Sequence, residues 1–144
     1  MSYRIQIVSI EGNIGSGKST LLAHMKDTLC NKNNTYIVYL PEPVNEWATI
    51  QDKEGKPILT KFYEDPEKYG FSFQCMAFIT RLKILKKTVE QIKEAEELVG
   101  GNNVRWIIVT ERSLQTDRNV FAKMLYDAEK IEHVNYQIYL NFYD

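Results

Sequence analysis

Gly12-Asn13-Ile14-Gly15-Ser16-Gly17-Lys18-Ser19 follows directly on the apolar run Ile5-Gln6-Ile7-Val8-Ser9-Ile10. The first stretch fits the phosphate-loop pattern G-x-x-x-x-G-K-[ST], and the layout is the one the chemistry demands. A buried strand delivers the chain to a glycine-rich turn whose backbone N–H groups converge on phosphate oxygens. The helix that follows adds its positive dipole end. Lys18 can then reach the outer phosphates, and the Ser19 hydroxyl can ligate Mg²⁺. Gly12, Asn13, Ile14, Gly15, Ser16, Gly17, Lys18, Ser19 and Thr20 are therefore the candidate nucleotide-binding residues. A glycine-rich turn before an ordinary helix is the plainer reading, but pattern, upstream strand and downstream helix all agree with the richer one. The chain reads as one that binds a nucleoside triphosphate, or that descends from one that did.

Composition narrows the class further. A chain of 144 residues, 44% hydrophobic and 12% aromatic, is one domain over 1–144 by the length prior, with enough apolar material for a core. A formal net charge of -1 argues against a general nucleic-acid or membrane-surface binder, so local basic groups must handle any phosphates. Cys30 and Cys75 have neither metal-ligand spacing nor a disulfide framework, which points to a reducing compartment. The N-terminal apolar run is too short for a signal or a membrane span. The expectation is a soluble, cytoplasmic protein with no nucleic-acid or membrane partner.

Periodicity then places the elements. Strands are expected near 5–10, 36–40 and 104–110, parallel and in the order two-three-one. A helix runs from Gly17 to about Asn31 with Leu21, Leu22, Met25 and Leu29 on one face. Asn31-Lys32-Asn33-Asn34 is a turn, and Pro41 and Pro43 stop the second strand. Short helical pieces lie around Ile58–Tyr63. The strongest helical pattern covers Phe71 to about Val99, through Phe71, Phe78, Leu82, Leu85, Val89 and Ile92, and Gly100-Gly101-Asn102-Asn103 ends it. Ser113 caps a further helix through about Asp127. In the tail, Tyr136, Ile138, Leu140 and Phe142 alternate as in a strand, whereas Ile131, Val134, Ile138 and Phe142 fit a helix face.

Two further motifs sit where such a sheet binds ligands, outside the carboxyl ends of its strands. Glu42, in Pro41-Glu42-Pro43-Val44, is a candidate general base or else a solvated loop carboxylate. Glu111-Arg112-Ser113 can hold Mg²⁺ through the carboxylate and clamp a phosphate through the guanidinium, or else is a surface ion pair at a helix start.

Glu42-Pro43-Val44 with Trp47, the run Tyr63-Glu64-Asp65-Pro66-Glu67 leading to Phe71-Ser72-Phe73-Gln74, and Glu111-Arg112-Ser113 with Asp117-Arg118 together resemble the deoxynucleoside kinase family. They are most similar to its deoxycytidine and deoxyguanosine kinase branch. The resemblance runs from the first strand to the end of the chain. It implies an α/β, three-layer P-loop fold with a parallel sheet, and an ATP-dependent deoxynucleoside 5′-kinase of nucleotide salvage, paired as a homodimer through the long helix. By that resemblance Glu42 takes the proton of the deoxyribose 5′-hydroxyl, Arg112 orients the hydroxyl and steadies the transferring charge, and Ser19 and Glu111 serve Mg²⁺. Tyr63 bonds the sugar 3′-hydroxyl, Gln74 reads the base edge, and Phe73 and Phe121 line the base pocket with Val44, Trp47 and Ala77 around them. Core packing is the other reading of Phe73 and Phe121, and the preferred one for Phe78.

In the resembled branch an Arg–Asp pair faces the exocyclic edge of the base, and Arg81 and Asp117 occupy those places; an unrelated surface pair is the alternative. An ionised Asp117 is acceptor-only, so it can meet the amino group of cytosine or adenine but not the carbonyl of thymine. Deoxycytidine or a purine deoxynucleoside should then be preferred over thymidine. The family's fold continues past Asp144, so the resemblance also implies a helical tail, an incomplete sheet and no arginine-rich lid. A non-catalytic nucleoside- or nucleotide-binding module is the rival from another class. A GTPase reading fails because Asp52-Lys53-Glu54-Gly55, a D-x-x-G mimic, follows no buried strand. A nucleoside monophosphate kinase would not explain Glu42, Tyr63 and Gln74 together. His24 and His133 read as helix-surface residues and the two cysteines as packing residues.

Overall fold

A computed structural model describes residues 4–99 and 103–144, with the backbone alone at Val99. Its order is β1 (Arg4–Ile10), α1 (Lys18–Thr28), β2 (Thr35–Leu40), α2 (Val44–Ala48), α3 (Ile58–Glu64), α4 (Pro66–Val99), β3 (Arg105–Glu111), α5 (Leu114–Thr116), a π-helical turn (Asp117–Ala122), α6 (Lys123–Asp127), α7 (His133–Leu140) and a closing 3₁₀ turn (Asn141–Tyr143). The chain divides into two compact units. A sheet unit runs through Glu42 and resumes over Lys83–Ser113; a helical unit comprises Pro43–Leu82 and Leu114–Asp144.

In the sheet unit the strands are parallel in the order β1-β3-β2, as expected, with Ile7 and Val38 both in register with Ile108. Ile108 and Val109 are both buried. Adjacent strand residues point to opposite faces, so β3 is covered on both sides and acts as the central strand. On the edge strand β1, Ile7 and Val8 remain about half exposed, at 54% and 47%. Leu22 of α1 and Ile92 of α4 are buried in this unit, and the Trp106 indole donates to Glu96 Oε1 at 2.7 Å, tying α4 to β3.

The expected apolar face of α1 is corrected. Only Leu22 of its four residues is buried; Leu21 and Leu29 are exposed. Successive helical residues diverge by about 100°, and Leu29 falls past the helix end in an extended conformation. The helix stops at Thr28 because the chain must reverse through Lys32–Thr35, with Asn33 and Asn34 at positive φ, a conformation Asn tolerates. Cys30 is exposed rather than packed, while Cys75 is half-buried, its thiol pushed up to about 11 by burial.

In the helical unit, α4 begins at Pro66 rather than Phe71. Asp65 accepts the Lys68 backbone N–H at 3.2 Å and Pro66 takes the first helical position, so a cap and not the apolar period sets the start. Of the expected helix end at 100–103, residues 100–102 lie outside the described residues. One core gathers Trp47, Ile58, Phe73, Met76 and Ala77; a second gathers Phe78, Ala122 and Tyr139. Phe78 is thus a core residue, as preferred. The single helix expected through Asp127 contains a π turn over Asp117–Ala122. The tail is helical; of its expected face Ile131 is buried, whereas Val134, Ile138 and Phe142 are exposed, and Tyr139 is buried with the half-buried Tyr136 and Tyr143 packed beside it.

Candidate active site

Backbone builds the first part of the site. Gly15 (φ 76°) and Gly17 (φ 93°) adopt left-handed conformations that cost other residues about 1–2 kcal/mol. Gly17 is the residue before α1, so the turn ends with the helix N-terminus open to an anion. Gly12 through Gly17 are solvent-exposed, as are Ser19 and Thr20. Lys18 is buried, its ammonium donating to the Asn13 carbonyl at 2.7 Å, so the cation is held inside the turn.

The strand tips meet on Glu111, which is buried at the end of β3. Its Oε1 accepts from the Ser19 hydroxyl at 2.6 Å, and its Oε2 lies 3.4 Å from the Glu42 backbone N–H. One carboxylate therefore links the phosphate loop to the end of β2. Arg112 follows with φ 62°, a conformation that costs a non-glycine residue about 1–3 kcal/mol and that clusters at functional sites. Its N–H donates to Ile10 at 2.9 Å, Thr110 Oγ1 donates to its carbonyl at 2.8 Å, and its Nη2 stands 3.5 Å from the Gly12 carbonyl oxygen. Glu111 and Arg112 are both buried, so neither is a surface ion pair. Glu42 itself is half-buried.

Ser19 and Glu111 suit Mg²⁺. Both offer hard oxygen donors, and the 2.6 Å hydrogen bond from the Ser19 hydroxyl to Glu111 Oε1 brings them together. Among the described residues no group of three or more His, Cys, Asp or Glu side chains could hold a metal.

The helical unit carries a different chemistry. Trp47 of α2 is buried, its indole donating to Thr80 Oγ1 at 2.9 Å, and Thr80 donates in turn to the Met76 carbonyl at 2.7 Å. Phe73 meets Trp47 edge-on at 5.4 Å and stacks on Phe62 at 4.7 Å with 10° between the planes. Gln74 and Arg81 lie two turns apart on one side of α4, with Ala77 between them. Gln74 is buried, and its Oε1 has no hydrogen-bond partner among the described residues. Such a group is costly to leave unmade, by about 1–3 kcal/mol, and marks a place where a ligand donor is wanted. Arg81 Nε lies 2.8 Å from Asp117 Oδ2, both side chains almost fully buried, and the guanidinium sits 5.7 Å from the Trp47 ring. Phe121 is half-buried on the π turn; Tyr63 and Val44 are exposed.

The match to the family model described as deoxynucleoside kinase covers residues 8–144. The chain belongs to the deoxynucleoside kinase family. Among curated members it is 33% identical to deoxycytidine kinase 1 of Xenopus laevis, over 98% of this chain and 53% of that protein. It is 32% identical to deoxycytidine kinase of Homo sapiens, over 98% of this chain and 54% of that one. With the mitochondrial deoxyguanosine kinase of Xenopus laevis the identity is 28%, over 94% and 51%. The chain thus spans about half the length of the curated relatives it matches. Parts of the helical unit had little or no signal in the sequence. Phe62 and Thr80 support Phe73 and Trp47, but their only signal was helical spacing from residues already chosen. The π turn under Asp117 and Phe121 has no signal in the apolar pattern. Among the described residues no helix is long and apolar enough to cross a membrane.

Proposed function

We propose that this chain carries the phosphoryl-transfer and nucleoside-reading residues of an ATP- and Mg²⁺-dependent deoxynucleoside 5′-kinase. The observation that carries the proposal is the Glu111 carboxylate, which joins the Ser19 hydroxyl and the Glu42 backbone at the strand tips. Phosphoryl transfer is mostly positioning and charge stabilisation, and the residues assembled there supply both. Glu42 accepts the 5′-hydroxyl proton as that oxygen bonds to the γ-phosphorus and the bond to ADP breaks. Arg112 and Lys18 balance negative charge on the moving phosphoryl group, and the loop amides of Gly12–Thr20 hold the rest of the polyphosphate. Ser19 and Glu111 would hold the divalent cation, which supplies further charge neutralisation when bound.

Base reading falls to the helical unit. Gln74 offers an unmet acceptor beside its amide donors, Phe73 and Phe121 supply aromatic faces, Ala77, Val44 and Trp47 fill around them, and Tyr63 takes the sugar 3′-hydroxyl. Asp117, paired with Arg81, favours deoxycytidine or a purine over thymidine. Ile79 and Leu98 on α4, both more than half exposed, support a homodimer through this helix; a monomer in light scattering at micromolar concentration counts against it. The deciding assay is phosphate transfer from ATP to deoxycytidine by the full-length protein and its Glu42→Gln variant. Turnover should fall about 10²–10⁴-fold in the variant; near-normal turnover removes Glu42 from the role of base, and binding without transfer in the parent identifies a non-catalytic module.

A further inference from the structure

Tyr139 is completely buried, and its hydroxyl lies 2.8 Å from that of Tyr143. Tyr143 spends its one proton on the Leu114 carbonyl at 2.9 Å, so Tyr139 must be the donor to Tyr143. The chain of hydroxyls therefore runs from the interior of α7 to the first residue of α5. Three residues later the same helical segment enters the π turn that begins at Asp117 and contains Phe121. A π turn is a local departure from the α-helical ladder, found mostly as single turns at functional sites, and its shape depends on what anchors the helix on either side.

The residue that follows Asp117 packs on the Tyr143 phenol as well. The Arg118 guanidinium lies 5.2 Å from the Tyr143 ring and Phe78 packs against the same ring at 4.9 Å. Burial first, with the negative charge of Asp117 adding to it, pushes the Tyr143 phenol up to about 12; Tyr139 is raised further by burial and its bond to Tyr143. Both phenols are therefore neutral hydrogen-bond donors at physiological pH. A carboxylate that discriminates one exocyclic group from another must be held to within about half an ångström, and side chains on a helix move with its backbone.

We propose that Tyr143, backed by Tyr139, is a positioning residue for base choice: its bond to the Leu114 carbonyl anchors the segment that presents Asp117 and Phe121. The inference rests on the reading of Asp117 as a base-reading group. Neither tyrosine touches reacting atoms, so the expected signature lies in nucleoside affinity and selectivity, not in the chemical step.

The test compares the full-length protein with Tyr143→Phe and Tyr139→Phe. Both variants keep the ring and its packing and remove only a hydroxyl, so a purely structural role of the rings is untouched. Tyr143→Phe should raise KM for deoxycytidine about three- to tenfold, narrow the preference for deoxycytidine over thymidine by a similar factor, and leave kcat within about twofold. Tyr139→Phe should act in the same direction and less strongly. Independently of activity, amide hydrogen exchange over 114–122 should quicken in Tyr143→Phe while that of β3 stays unchanged. A parent that prefers deoxycytidine, with a Tyr143→Phe variant that keeps both the preference and the exchange pattern, overturns this inference alone. A parent without that preference overturns the base reading and this inference with it.

Discussion

The sheet unit and the helical unit of this chain are built by opposite means. In the sheet unit the chemistry is shaped mostly by main chain. Left-handed glycines shape the loop, a helix N-terminus completes it, and strand ends converge on Glu111. In the helical unit it is held by side chains. Trp47 leans on Thr80, Phe73 on Phe62, and Arg81 on Asp117, each pair joining residues distant in sequence or separated by turns of helix. The contrast teaches that the first kind of site tolerates little change at any position, whereas the second can be re-tuned by substitution without dismantling the reaction.

Substitutions should therefore separate the two by their readouts. Lys18→Met removes the cation held inside the loop, and turnover should fall about 10²–10³-fold, while calorimetry finds nucleoside binding within about twofold of the parent; equal losses in both would dissolve the division. On the proposed base reading, Arg81→Met combined with Asp117→Ala removes the acceptor that would meet the thymine carbonyl and makes room for the methyl group. The ratio of kcat/KM for thymidine over deoxycytidine should rise by about one to two decades, and an unchanged ratio would take these residues away from the base.

Smaller effects probe how the helical unit is held. Trp47→Phe keeps an aromatic ring but deletes the donor to Thr80. The loss should be about 1 kcal/mol, seen as a thermal midpoint lower by about 2–4 °C; an unchanged midpoint would make that bond irrelevant to stability. The mildest effect belongs to Asp52. The Lys61 ammonium 2.5 Å away, then the Lys56 backbone N–H, hold its carboxyl at about 2 against an ordinary 3.8. Because the folded value is depressed, the contribution is whole above 3.8 and disappears as pH falls through 2. Lys61→Met should move the Asp52 titration, followed by NMR, back toward 3.8; a midpoint that stays near 2 would credit the backbone bonds instead.

Legibility followed the same division. The loop, the strands and the α/β class were readable because each signal is local: an apolar run, glycines at fixed offsets, a lysine behind them. The start of α4 was also written in the chain, as Asp65-Pro66, although the apolar period begins only at Phe71. Burial in the tail was readable only in part, since Ile131 of the expected face is buried, while Val134, Ile138 and Phe142 are exposed and Tyr139 takes the other buried position.

By itself, then, the sequence determined the parallel sheet, its strand order, the phosphate loop and the family, because those rest on short-range geometry and on residue types at set spacings. Tertiary structure alone decided that Glu111 bridges loop and strand, that Arg112 takes a left-handed backbone, that Asp117 stands on a π turn, and that the Tyr143 hydroxyl meets the Leu114 carbonyl. Each of these depends on a hydrogen bond or a packing contact between segments far apart in the chain, and no local pattern encodes which distant partner a polar group will meet.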